Sequence, residues 1–113
     1  MKKSMIAVGT LLLSVVSLWA DTFYTGSLSG YSQATYTIEG SYGDRISVAV
    51  SGDGSTDLDL YAVDGDGNIM ISSQSYGDDE EVTWTVTGTG TFRVVLVNRG
   101  QWRNDFRLGV RVR

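Results

Sequence analysis

Residues 57–68 read DLDLYAVDGDGN, with four aspartates and an asparagine in twelve positions. Two folds compete for such a stretch: a calcium loop, or a strand that runs into a tight turn. Asp64, Asp66 and Asn68 alternate as in the first half of an EF-hand loop. That loop needs glycine at its sixth position and a bidentate glutamate at its twelfth. Here those positions are Ile69 and Ser75. The flanks DLDLYAV and NIMISSQ are strand-like, and Asp-Gly is a favoured two-residue hairpin turn. The stretch therefore reads as a hairpin, with Leu58, Leu60 and Ala62 inward. Asp57, Asp59 and Tyr61 fall on the opposite face, because side chains alternate along a strand.

The same period of two extends outward in both directions. RISVAVS sets Ile46, Val48 and Val50 against Ser47, Ala49 and Ser51. EVTWTVT sets Val82, Trp84 and Val86 against three threonines. TFRVVLVN places Phe92, Val94 and Leu96 on one face, and DFRLGVRV places Phe106, Leu108, Val110 and Val112. A strand with one buried face gives this pattern, whereas a helix needs apolar residues three and four apart. Valine, threonine, tyrosine and tryptophan also suit strands.

Glycine-containing breakers (EGSYGD, SGDGS, DGDGN, YGDD, TGTG, NRGQ) separate these runs. Glycine permits a positive φ, and Asp or Asn hydrogen-bonds its own turn. Seven or eight strands are predicted, near 22–28, 31–38, 44–51, 57–63, 68–74, 80–87, 90–97 and 104–112. The fold class is all-β, an antiparallel β-sandwich, with one domain over 21–113.

The N-terminus differs from the rest. MKKSMIAVGTLLLSVVSLWA has two lysines, an apolar run and a small residue at Ala20, the layout of a cleaved export signal over 1–20. Cleavage is expected after Ala20, with Ser17 as the alternative. The run falls short of the ~20 apolar residues of a comfortable membrane span, so no span is expected in the mature chain. Periplasmic or secreted localisation follows. The sequence has no cysteine, so no disulfide assists the core.

Past Ala20, seven arginines stand against thirteen acidic residues. Such an excess argues against nucleic acid, whose phosphates need a basic partner. It is compatible with a cation. With no histidine or cysteine, the common nucleophile–base pairs and zinc sites are missing. No catalytic residue is assigned, and the chain is read as no enzyme.

Several of these stretches, taken in order, resemble the bacterial pre-peptidase C-terminal domain family. The residues that carry the resemblance are Gly43-Asp44, Asp57 to Tyr61, Asp64 to Asn68, Ser72-Ser73, Gly90 to Phe92, and Phe106 with Leu108. It covers about 24–112. It implies a jelly-roll-like sandwich without catalytic activity, here expected to stand free of a peptidase. Related domains in clostridial collagenases bind collagen and calcium. The Glu-Pro-Asn-type opening that supplies calcium ligands there is missing, residues 21–30 reading DTFYTGSLSG.

Candidate sites are few. Arg99, Trp102 and Arg103, in the loop NRGQWRN, form the candidate ligand-binding set for an extracellular or envelope protein or polysaccharide. Trp102 either offers a stacking surface or folds over the end of the sandwich. Asp53, Asp57 and Asp59 form the candidate metal set. No cofactor is required, with calcium the alternative. Arg107, Arg111 and Arg113 share the outer face of the last strand, either as an anion site or as guards of a sheet edge. The protein is expected to be a monomeric binding module. A structural or folding-support role in the envelope, stabilised by calcium, is the alternative.

Overall fold

The computed structural model describes residues 20–113, so the expected export signal lies almost wholly outside the described residues. Eight strands follow in order: β1 (Thr22–Leu28), β2 (Gln33–Gly40), β3 (Arg45–Ser51), β4 (Leu58–Val63), β5 (Ile69–Ser73), β6 (Asp79–Thr85), β7 (Gly90–Asn98) and β8 (Asn104–Val112). They form two four-stranded antiparallel sheets, ordered β1-β8-β3-β6 and β2-β7-β4-β5. Apart from the β4–β5 hairpin, each connection crosses from one sheet to the other. That is the jelly-roll arrangement of a β-sandwich.

The predicted inner faces are the core. Ile46, Val48 and Val50 of β3, Val82 and Trp84 of β6, and Phe106, Leu108 and Val110 of β8 are buried from one sheet. Leu58, Leu60 and Ala62 of β4 and Phe92, Val94 and Leu96 of β7 meet them from the other. Each fully buried aliphatic side chain contributes about 1.5–3 kcal/mol relative to exposure. Aromatic pairs join the two sheets. Trp84 and Phe92 have ring centroids 5.7 Å apart, and Tyr24 and Tyr36 5.0 Å.

Two expectations need correction. The sequence pattern starts the second strand at residue 31, but Tyr31 lies in the turn before β2, in the left-handed region with φ 57°. Its N–H donates to the Gly100 carbonyl at 2.9 Å, a contact from the far end of the chain that no local pattern reports. The outer-face arginines do not guard an edge either, because β8 lies between β1 and β3. Arg107 lies over the Phe23 ring at 4.1 Å, and Arg113 pairs with Asp21 at 2.9 Å.

Candidate binding surface

Alternation does more than bury the core: it carries polar residues onto the inner face at one end. Asn98 continues the phase of Phe92, Val94 and Leu96, and Asn104 that of Phe106, Leu108 and Val110. Asp78 and Glu80 likewise extend Val82 and Trp84. All four are buried, and all lie where the β1–β2, β3–β4, β5–β6 and β7–β8 loops converge. A buried polar group must find partners or cost stability. Here the partners are the loops themselves.

Asn98 Nδ2 donates to the carbonyls of Leu28 (3.0 Å), Ser29 (3.2 Å) and Trp102 (2.8 Å), and Asn98 Oδ1 accepts from Gly100 N–H at 3.0 Å. Asn104 Nδ2 donates to Thr56 Oγ1 and Asp78 Oδ2, both at 3.0 Å. Asp78 Oδ2 also accepts from Gly54 N–H at 2.6 Å. Glu80 accepts from Ser73 Oγ, and from Ser75 N–H and Oγ at 3.2 and 2.6 Å. The loop backbones pack so closely that a Cβ on Gly30 would stand 2.2 Å from the Gln101 carbonyl oxygen.

This tied end presents aromatic rings to solvent. Tyr31 is 75% exposed, Trp102 63% and Tyr76 99%. Trp102 therefore does not cap the core. Tyr31 and Trp102 sit on adjoining loops, since the Tyr31 N–H and a Gly30 Cα both abut residues 100–101. A non-glycine residue at positive φ is uncommon, and strain of this sort clusters at functional positions.

The candidate arginines differ from one another. Arg99 Nε meets Asp59 Oδ2 at 2.9 Å, with Asp59 almost wholly buried. Arg103 pairs with the exposed Asp105, at 3.3 Å, and its own side chain is exposed. Asp59 points away from the core as alternation requires, yet it is buried. Burial, and then neighbouring Asp57, push its carboxyl above the usual value, against the pull of Arg99.

The three metal-candidate aspartates are not brought together. Asp53 is taken up by its own loop and by β8: Oδ1 accepts from Ser55 N–H at 2.9 Å and Oδ2 from Asp105 N–H at 2.8 Å. Burial raises its pKa, but these hydrogen bonds outweigh that effect and hold it below the usual value. Asp57 and Asp59 do neighbour each other, and the Oδ1 atoms of both are buried without a hydrogen-bond partner. Among the described residues, no group of three or more acidic side chains converges as a metal cluster.

The opposite end closes differently. Gly40 leaves room there for Val86, Ile46 and Phe92, and the aspartates bond within their own turns: Asp64 Oδ1 accepts from Asp66 N–H and Asn68 N–H, both at 2.9 Å. The β2–β3 turn meets the β6–β7 connection through Tyr42 N–H to Thr89 Oγ1 at 3.2 Å and Gly43 N–H to the Val86 carbonyl at 2.8 Å. An open cleft of about 340 Å³ lies there, walled by Asp64, Asp66, Met70 and a row of threonines.

Two four-stranded antiparallel sheets packed face to face define a jelly-roll β-sandwich domain. Residues 32–98 match the family described as bacterial pre-peptidase C-terminal domain, and the chain belongs to that family. Among solved structures, the pre-peptidase C-terminal domain of a Bacillus anthracis collagenase superposes with a TM-score of 0.69 at 17% identity, covering 82% of this chain and 90% of that one. Aeromonas hydrophila PliG, a periplasmic inhibitor of g-type lysozyme, gives 0.67 at 14% identity, covering 84% and 88%. The Yersinia pseudotuberculosis-derived mitogen gives 0.67 at 13% identity, covering 81% and 85%. At these identities the likeness is one of fold. No curated protein is similar enough in sequence to match.

Sequence reasoning missed Tyr31, Asn98 and Asn104. For the two asparagines the signal was present, since each extends the inward phase of its strand by one step. For Tyr31 there was none.

Proposed function

We propose that this protein is an exported, non-catalytic binding module whose ligand, an envelope or extracellular protein or polysaccharide, docks on the crown that carries Tyr31, Trp102 and Arg103. The observation that supports this is the pairing of exposed rings with a buried hydrogen-bond frame. Aromatic and arginine side chains dominate binding energy at interfaces. Holding their loops rigid beforehand lowers the entropy lost on docking. Arg103 joins this surface, while Arg99 serves the fold by neutralising Asp59. The lack of histidine and cysteine supports a non-catalytic role. The described residues contain no helix long and apolar enough to cross a membrane. In the same fold, PliG meets a protein ligand, so a g-type lysozyme belongs among the first partners to screen.

The test is capture of the partner from the cell envelope, followed by affinity measurement with Trp102→Ala/Arg103→Ala. The double variant should melt like the parent and bind at least about thirtyfold more weakly, as loss of a ~2 kcal/mol hot spot implies. Unchanged affinity would remove this surface.

A second reading, a folding-support protein of the envelope stabilised by calcium, draws on the unpartnered Oδ1 atoms of Asp57 and Asp59. A cation there would offset the charge that burial now disfavours. Calorimetry should then show a melting temperature that rises with calcium and falls with chelator. An unmoved melting temperature would end this reading.

A further inference from the structure

Among the four edge strands of the sandwich, β5 is the one that exposes large aliphatic side chains. It pairs with β4 on one side, and among the described residues no strand pairs with its other side. Natural edges are usually blunted by charge, proline or a covering loop. β5 reads IMISS and, like the edge strand β1, has neither charge nor proline; it is five residues long and its pairing with β4 is bulged between Ala62 and Val63. Ile69 is 61% exposed, and Met70 and Ile71 are also open to solvent. Its surroundings carry one sign of charge. From Asp53 to Glu81 there are nine acids and no base. β6 lies on the same flank, as the hydrogen bond from Ser73 to Glu80 requires, and it exposes Asp79 and Glu81.

We propose that β5 is a docking edge for an extended, basic segment of a partner protein, which adds as a fifth strand to the sheet β2-β7-β4-β5. Backbone hydrogen bonds to the free edge would supply pairing, and alternate side chains would supply selectivity. Because the β4–β5 pairing is bulged between Ala62 and Val63, Ile71 and Ile69 fall on opposite faces of β5, and apolar residues on either face of the incoming strand would cover one of them. Lysine or arginine in the same segment would be drawn to the acidic flank of Asp66, Asp79 and Glu81. Charge decides between occupants. A second copy of this chain would bring the same acids against each other, whereas a basic segment neutralises them.

This surface is separate from the aromatic crown, and the experiment keeps the two apart. A blocked peptide of alternating lysine and valine, seven residues long, is titrated into the ¹⁵N-labelled protein and compared with its glutamate counterpart. The lysine peptide should shift the amides of Ile69–Ser73 and slow their hydrogen exchange by at least about tenfold, an effect that weakens as salt rises. The glutamate peptide should do nothing. Ile69→Lys or Ile71→Lys, whichever retains the parent's circular dichroism, should weaken binding at least about tenfold, and Trp102→Ala should leave it unchanged. Shifts confined to the crown, equal response to both peptides, indifference to the β5 variants, or a dimer paired through β5 would each overturn the proposal.

Discussion

The two ends of the sandwich use the same turn residues to opposite effect. At the crown, Asn98, Asn104 and Asp78 reach from one loop to another and hold four connections as a unit. At the other end, Asp44 and Asp64 bond within their own turns, Asp44 Oδ2 accepting from Ser41 N–H at 2.9 Å. The core itself follows this division. It ends in polar side chains under the crown and in apolar ones, Trp84, Val86 and Phe92, at the far end. A domain that must present a fixed surface gains from loops that cannot move independently. One that only needs its strands joined can use turns braced by their own aspartates.

The largest expected difference between the ends comes from removing one hub. Asn98→Ala would strip partners from three carbonyls and one N–H, and each buried unsatisfied group costs about 1–3 kcal/mol. Water entering the site would recover part of this, so a net loss of about 3 kcal/mol is expected. For a domain of this size that lowers the melting temperature by roughly 12–24 °C. Asp64→Ala, which deletes a turn residue of similar size at the other end, should shift the urea midpoint only slightly. Equal losses at both ends would abolish the distinction. Glycines refine it further. Gly52→Ala would set a Cβ 2.1 Å from Asp78 Oδ2 and 2.6 Å from Asn104 Oδ1, at the centre of the frame. Gly88→Ala meets nothing within 4 Å. The first should cost about 1–3 kcal/mol by overpacking, and the second should be near neutral.

These hubs also mark what local sequence can report. Alternation located eight strands and their buried faces, because burial of one face imposes a period of two whatever the partner. It could not say that β1 pairs with β8, or that β3 lies between β8 and β6, since the pattern records that a face is covered and not by what. The crown divides along the same line. Asn98 and Asn104 were legible as inward positions with a polar side chain. Asp59 was legible as outward, but not as buried, nor as the ion-pair partner of Arg99, forty residues on. Tyr31 looked like a strand residue until its N–H was seen to serve Gly100. Loop-to-loop contacts between distant residues escape any reading that moves along the chain. The crown makes such contacts through buried side chains across four connections, whereas the far end makes them mainly through backbone groups between the β2–β3 and β6–β7 loops.

A smaller effect separates two aspartates within the crown by the sign of their response to pH. Asp53 has its folded pKa below the usual value near 3.8. Between the folded and unfolded values the unfolded chain holds more protons, so stability rises with pH there and falls as acid is added. Asp59 has its folded pKa raised above the same value. The folded chain now holds more protons over the interval above 3.8, so its contribution declines as pH rises through it. Urea unfolding between pH 3 and 7 should therefore show opposite deviations from the parent. Asp53→Asn should flatten the loss of stability on acidification, because the carboxylate hydrogen-bonded by Ser55 and Asp105 no longer has to be protonated. Asp59→Asn should steepen the net rise of stability with pH, because a buried charge no longer develops against Asp57. If both variants moved the curve in one direction, Asp59 would have to be satisfied in solution by a partner such as a bound cation. The orphaned oxygens beside it would then be a site and not a strain.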